Sequence, residues 1–114
     1  MKQLRWHPTM TPARWVGYSR ERQILIIGSE FARAVNLLKA SAVSESKICI
    51  ARAMELLDLN LTDPQWGGRR VREVLRFREL LGSWYLESEP SQETLAHLFR
   101  ILMEWNGATA RVQR

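Results

Sequence analysis

The sequence predicts an all-α protein: an antiparallel up-down four-helix bundle with an N-terminal arm. Three observations carry that prediction. Four separate stretches repeat apolar residues at spacings of three and four, the period of a helix with one buried face. No stretch alternates apolar and polar residues as a half-buried strand requires. A compact breaker, Asp63-Pro64-Gln65-Trp66-Gly67-Gly68, stands between two long helical patterns. A break that short makes its two helices pack side by side in opposite directions.

A chain of 114 residues suits one domain spanning 1–114. It divides into an arm at 1–18, a bundle at 19–106 and a tail at 107–114. A domain of this size buries roughly two-thirds of its unfolded surface, enough for a core without metal or disulfide.

The arm opens the chain. His7-Pro8 and Thr11-Pro12 keep it from being one helix, because a residue before proline avoids helical angles. Thr11 is placed to cap a short turn from Pro12 through Ala13 to Val16. Trp6, Trp15, Val16 and Tyr18 are too apolar for a free tail, so the arm is expected to fold over a groove or to await a partner.

The first long helix is predicted over 20–41 with Ser19 as N-cap. Ile24, Ile27, Phe31, Ala34, Val35 and Leu38 form its stripe. Gly28 within it costs about 1 kcal/mol relative to Ala, which close approach of a neighbouring helix explains. After Ala42-Val43, Ser44 is expected to cap a second helix over 45–61. Its stripe is Ile48, Ala51, Met54, Leu57 and Leu61, widened by Ile50, Ala53 and Leu56. Asp63-Pro64 ends this helix and starts a turn through Trp66, and Gly67-Gly68 allow the reversal.

The third helix is predicted over 68–87. Val71, Val74, Leu75, Leu81 and Tyr85 mark its face, and Phe77, Leu80 and Trp84 widen it. Ser91 is expected to cap the fourth, over 92–105, with Leu95, Leu98, Phe99, Leu102 and Trp105 inward. Asn106-Gly107 reads as a stop, leaving Ala108 to Arg114 as a frayed tail.

Composition excludes several classes. At 46% hydrophobic and 25% charged residues, the chain is not disordered. Cys49 is the one cysteine and lies between Ile48 and Ile50, which predicts a buried, inert thiol. The longest uninterrupted apolar run, Ile24 to Ile27, is far too short for a membrane span, and the first fifteen residues hold no signal-peptide core. The expected location is the cytoplasm.

No catalytic motif is present, so the chain is expected not to be an enzyme and to need no cofactor. His7 and His97 have no companion at metal-ligand spacing. Glu93 and His97, one turn apart, make an exposed hydrogen-bonded pair rather than a metal site.

Charge points outward. Net charge is +5, and fourteen of the seventeen basic residues are Arg. The third helix carries Arg69, Arg70, Arg72, Arg76 and Arg78. Pairing Arg69 with Glu73 and Arg76 with Glu79 would leave Arg70, Arg72 and Arg78 as candidates for phosphate contact. A solvated surface is the alternative. The five tryptophans are the other informative group. Trp84 and Trp105 fit core stripes, whereas Trp6, Trp15 and Trp66 sit in the arm or the turn and either seal the end of the bundle or form a binding hot spot, with Trp15, Tyr18 and Trp66 the partner-binding candidates.

The order of these pieces resembles the flagellar secretion chaperone family, the FliS-type proteins that hold flagellin before export. The matching residues are Ser19 with Gln23-Ile24-Leu25-Ile26, then Arg52 to Leu57 leading to Asn60-Leu61. Gly67-Gly68, the helix through Arg78 and Leu81, and Leu95 to Trp105 follow. The resemblance covers roughly residues 18 to 105. This chain departs from it at Gly28-Ser29-Glu30, where the family has Asp-Gly, in a turn enlarged by Pro64 and Trp66, and in its positive charge. The resemblance implies a helical bundle that binds another protein. The leading expectation is therefore a chaperone-like, protein-binding or self-associating module, and the alternative is nucleic-acid binding through the third helix.

Overall fold

A computed structural model describes residues 4–112, with side chains through Asn106. Among them the chain forms α1 (Pro12–Val16), α2 (Arg20–Lys39), α3 (Val43–Asn60), a 3-10 turn (Pro64–Trp66), α4 (Arg69–Leu86) and α5 (Gln92–Val112), with no strand. The protein is all-α, and its four long helices pack against one another.

Local chemistry sets most boundaries. Thr11 Oγ1 accepts from Arg14 N, Ser19 Oγ from Arg22 N, and Ser91 Oγ from Thr94 N, each satisfying a donor the helix leaves open. Asp63 Oδ1 does the same for Gln65 N, ahead of Pro64. Gly68, at φ +67°, turns the chain into α4.

Three boundaries differ from the sequence reading. α2 ends at Lys39, because Ser41 takes a left-handed conformation (φ +62°) and Ala42 N bonds back to Leu37 O at 2.8 Å. That closure turns the chain so early that α3 starts at Val43, and Ser44 lies inside it instead of capping it. At the other end, α5 continues through Asn106-Gly107 to Val112. An Asn-Gly pair permits a helix stop but does not impose one, since glycine also adopts right-handed angles at about 1 kcal/mol. Most of the expected tail is thus helical backbone, while residues 113–114 lie outside the described residues.

The core runs the length of the helices. α3 returns along α2: Ser46 Oγ donates to Ala34 O, while Asp63, just past α3, meets Gln23. α4 follows α3, with Arg78 Nε donating to Asp58 Oδ1 at 2.9 Å and Lys47 Nζ donating to Glu87 O. α5 closes over α2 and α4. Phe99 stacks on Phe31 at 6.0 Å, and Trp105 meets Phe77 edge-on at 5.0 Å. A Cβ on Gly28 would stand 3.2 Å from Met103 Sδ, so α5 does approach this glycine closely.

The buried stripes of α3 and α4 are rotated from the expected ones. On α3 the buried apolar set is Cys49, Ile50, Ala53, Leu56, Leu57 and Leu59, and Ile48 is 40% exposed. On α4 it is Val74, Phe77, Leu81 and Trp84, leaving Leu75 and Leu80 half exposed. Both helices carry an apolar arc wider than one contact face. Periodicity locates such an arc, but the neighbouring helices choose its centre.

Candidate functional site

The N-terminal arm lies across α2, α3 and the 3-10 turn, and side-chain hydrogen bonds hold it there. Trp15 is its anchor. Its ring is fully buried, and Nε1 donates to Asn60 Oδ1 at 2.7 Å. Gln23 is also fully buried. Its Nε2 donates to Trp15 O (2.9 Å) and to Asp63 Oδ2 (2.7 Å), and its Oε1 accepts from Trp66 Nε1 (2.6 Å). Gln65 Nε2 reaches from the turn to Val16 O, Tyr18 O and Asp63 Oδ2. One carboxamide thus ties the arm, the turn and α2 together.

The arm is fastened a second time further along α3. Glu55 accepts from Trp6 N through both carboxylate oxygens at 3.1 Å, and Oε1 lies 2.9 Å from His7 Nδ1. The Trp6 ring has the guanidinium of Arg5 at 4.8 Å and that of Arg52 at 5.8 Å. A cation over an aromatic face is favourable and needs no burial. Tyr18 is partly buried, meets Trp15 edge-on, and carries Arg22 over its ring.

Trp15 and Trp66 therefore seal one end of the core. Trp66 is 4% exposed and packs on Trp105 at 5.6 Å. Neither ring is offered to a partner while the arm is seated. The sequence reading does not assign Gln23 or Asn60 to the seat beneath the arm, and it gives Asp63 only as the start of the turn. The missed signal was register: Gln23 precedes Ile27 and Phe31 by whole turns, and Asn60 follows Ala53 and Leu56 in the same way.

The seat is not fully satisfied. Asn60 Nδ2 is buried with no hydrogen-bond partner. A buried donor left unpaired costs about 1–3 kcal/mol, so this amide favours any occupant that brings an acceptor.

Elsewhere, the buried Cys49 thiol has its pKa pushed up by burial and by the nearby Glu30 carboxylate, against the pull of Arg33 and Arg52. It is protonated and shielded, the opposite of a reactive thiol. His97 Nδ1 lies 3.3 Å from Arg100 Nη2, and among the described residues no hydrogen bond joins His97 to Glu93, correcting the expected pair.

The arginines separate into two groups. Arg78 is held between α3 and α4 by Asp58 and by Met54 Sδ at 3.1 Å, so it is not the free cation expected from the sequence. Arg69, Arg70, Arg72 and Arg76 are exposed, and among the described residues the expected Arg69–Glu73 and Arg76–Glu79 pairs do not form. No helix in the described residues is long and apolar enough to cross a membrane.

No family model, no curated protein and no solved structure matches this chain.

Proposed function

We propose that this chain is a non-enzymatic, chaperone-like module of the cytoplasm. It would bind a segment of another protein in the seat its own arm occupies. The supporting observation is the unpaired Asn60 Nδ2 beneath a fully buried Trp15. A client supplying an apolar side chain and one more carbonyl would satisfy the seat better than the arm does. The resemblance to flagellar secretion chaperones supports the same reading, with a client held before export. The test is deletion of residues 1–18. Binding of a dye specific for exposed apolar surface rises, and a free peptide of residues 1–18 reverses the rise. Unchanged dye binding refutes the proposal. Trp15→Ala in the full chain gives a weaker version of the same effect.

A second reading is nucleic-acid binding through α4. The first turn of α4 contains no acidic residue, no side chain caps it, and Arg69, Arg70 and Arg72 within it are exposed, as is Arg76 a turn further on. Placing cations at the positive end of a helix dipole opposes stability, which favours a role outside the fold. Filter binding separates the two readings: affinity for nucleic acid falls steeply with salt, whereas a helical client tolerates it.

A further inference from the structure

Three carboxamides line the seat beneath the arm. Gln23 and Asn60 are fully buried and Gln65 is partly so. Toward the occupant they present donors almost alone. Gln23 Nε2 donates to Trp15 O at 2.9 Å, and Gln65 Nε2 to Val16 O at 3.3 Å and Tyr18 O at 3.0 Å. The buried acceptors around them are already taken: Gln23 Oε1 by Trp66 Nε1, Asp63 Oδ1 by Gln65 N, and Asp63 Oδ2 by both glutamines. The buried acceptor left to the occupant is Asn60 Oδ1, which takes the indole N–H of Trp15. Asn60 Nδ2 keeps its hydrogens unspent.

The carbonyls read in this way share a place. Trp15 and Val16 close the last turn of α1, and Tyr18 follows its cap, Gly17. A helix leaves the C=O groups of that turn without N–H partners of its own. Trp15 O takes one bond from Tyr18 N, and its second lone pair serves Gln23. Helical C=O groups all point along the axis, so one cluster of donors at the end collects several neighbours. In an extended strand they point alternately to opposite sides, and a single cluster cannot collect consecutive ones. The first turn of a helix offers N–H groups instead, which the donors of this seat would oppose.

We propose that the seat is a receptor for the C-terminal turn of a partner's helix, with a tryptophan in that turn. This inference rests on the reading of the seat as a client site and names the client's chemistry. Tryptophan is selected because, among large apolar side chains, its ring brings an N–H to Asn60 Oδ1. Phenylalanine or leucine in its place leaves that acceptor buried and unpaired. The remaining contacts go to main-chain carbonyls, so they fix the conformation of the turn and leave its other side chains free. α1 is the chain's own stand-in for this ligand. A partner that carries one more open carbonyl to Asn60 Nδ2 satisfies the seat where the arm does not.

The probes are dye-labelled, alanine-rich peptides of about sixteen residues, long enough to be helical alone. One carries a single tryptophan in its last turn, a second carries it in the first turn, and a third has phenylalanine in the last turn. Each is titrated by fluorescence anisotropy against the full chain bearing W15A, whose arm loses its anchor while Trp6 and His7 stay on Glu55. The peptide with tryptophan in its last turn is expected to bind about tenfold tighter than either of the others. Adding N60L erases its advantage over the phenylalanine peptide. Circular dichroism checks that the variants fold. The unaltered chain supplies a measurement that needs no variant: its tethered arm weakens binding about a hundredfold, the rank order is kept, and amide exchange in the arm quickens as peptide is added. Equal binding of the first-turn and last-turn peptides, or of the tryptophan and phenylalanine peptides, overturns the proposal and leaves the client site standing. So does a free peptide of residues 1–18 that binds where no designed helix does, since the seat is then specific for the arm. Failure of every peptide, the arm peptide included, overturns the client reading itself.

Discussion

The α2–α5 interface and the seam beneath the arm bury comparable side chains by opposite means. Between α2 and α5 the contacts are dry: Phe31 lies on Phe99, and Gly28 lets Met103 approach. Beneath the arm, Trp15 and Trp66 are as deeply buried, but each ring nitrogen is tied to a side-chain carbonyl oxygen, of Asn60 or Gln23. A dry interface gains from every apolar atom it removes from water and has no alternative occupant to prefer. A hydrogen-bonded seat gains little net, because the same bonds form with water once it opens. The first kind of contact holds a fold together. The second is selective about what fills it and can be exchanged.

Four substitutions test this contrast, the largest effect first. Phe31→Ala removes the ring that meets both Phe77 and Phe99 and is expected to cost about 4 kcal/mol, read as a lower denaturant midpoint for the whole chain. If the arm alone loosened, the two regions would not differ as argued. Gln23→Leu keeps the volume but strips partners from Trp66 Nε1, Trp15 O and Asp63. About 2 kcal/mol is lost, and amide exchange in the arm should accelerate before that in α5. Ser41→Gly lies outside both regions and serves as a control. Relief of the left-handed angle should stabilise the chain by about 1 kcal/mol with no change in arm exchange. Glu55→Ala releases Trp6 N and His7 at a partly exposed site. It is expected to cost about 0.5–1 kcal/mol, seen as increased proteolysis before residue 11 with the global midpoint nearly unmoved.

The arm shows how far local rules reach. Thr11-Pro12 and Ser19 declare their caps in the sequence, and both caps form as read, because a cap is a contract between residues three apart. Gly28 could also be read, since a costly glycine on a buried stripe needs a neighbour. The end of α5 could not, because Asn106-Gly107 offers a stop without requiring one. Ile48, Leu75 and Leu80 were misplaced for another reason: their helices are apolar over more than one face. Gln23 and Asn60 escaped because polar residues were excluded from stripes that they in fact continue, and Asp63 is legible only as the start of the turn, not as a partner of Gln23. Trp15 and Trp66 were singled out correctly as unusual, but whether they faced a partner or the core depended on those three.

By itself, the sequence determined the all-α class, four of the helix starts or turns, and the closeness of a helix at Gly28. Each follows from interactions within a few residues or from a period repeated along one helix. Only the tertiary structure decided which part of each apolar arc is buried, that Arg78 is spent on Asp58, and that the arm is tied down by Gln23, Asn60 and Glu55. Those outcomes depend on residues eight to forty-nine positions apart, on different elements, being brought together. The rotation of one helix against its neighbours settles them, and no single helix encodes that rotation.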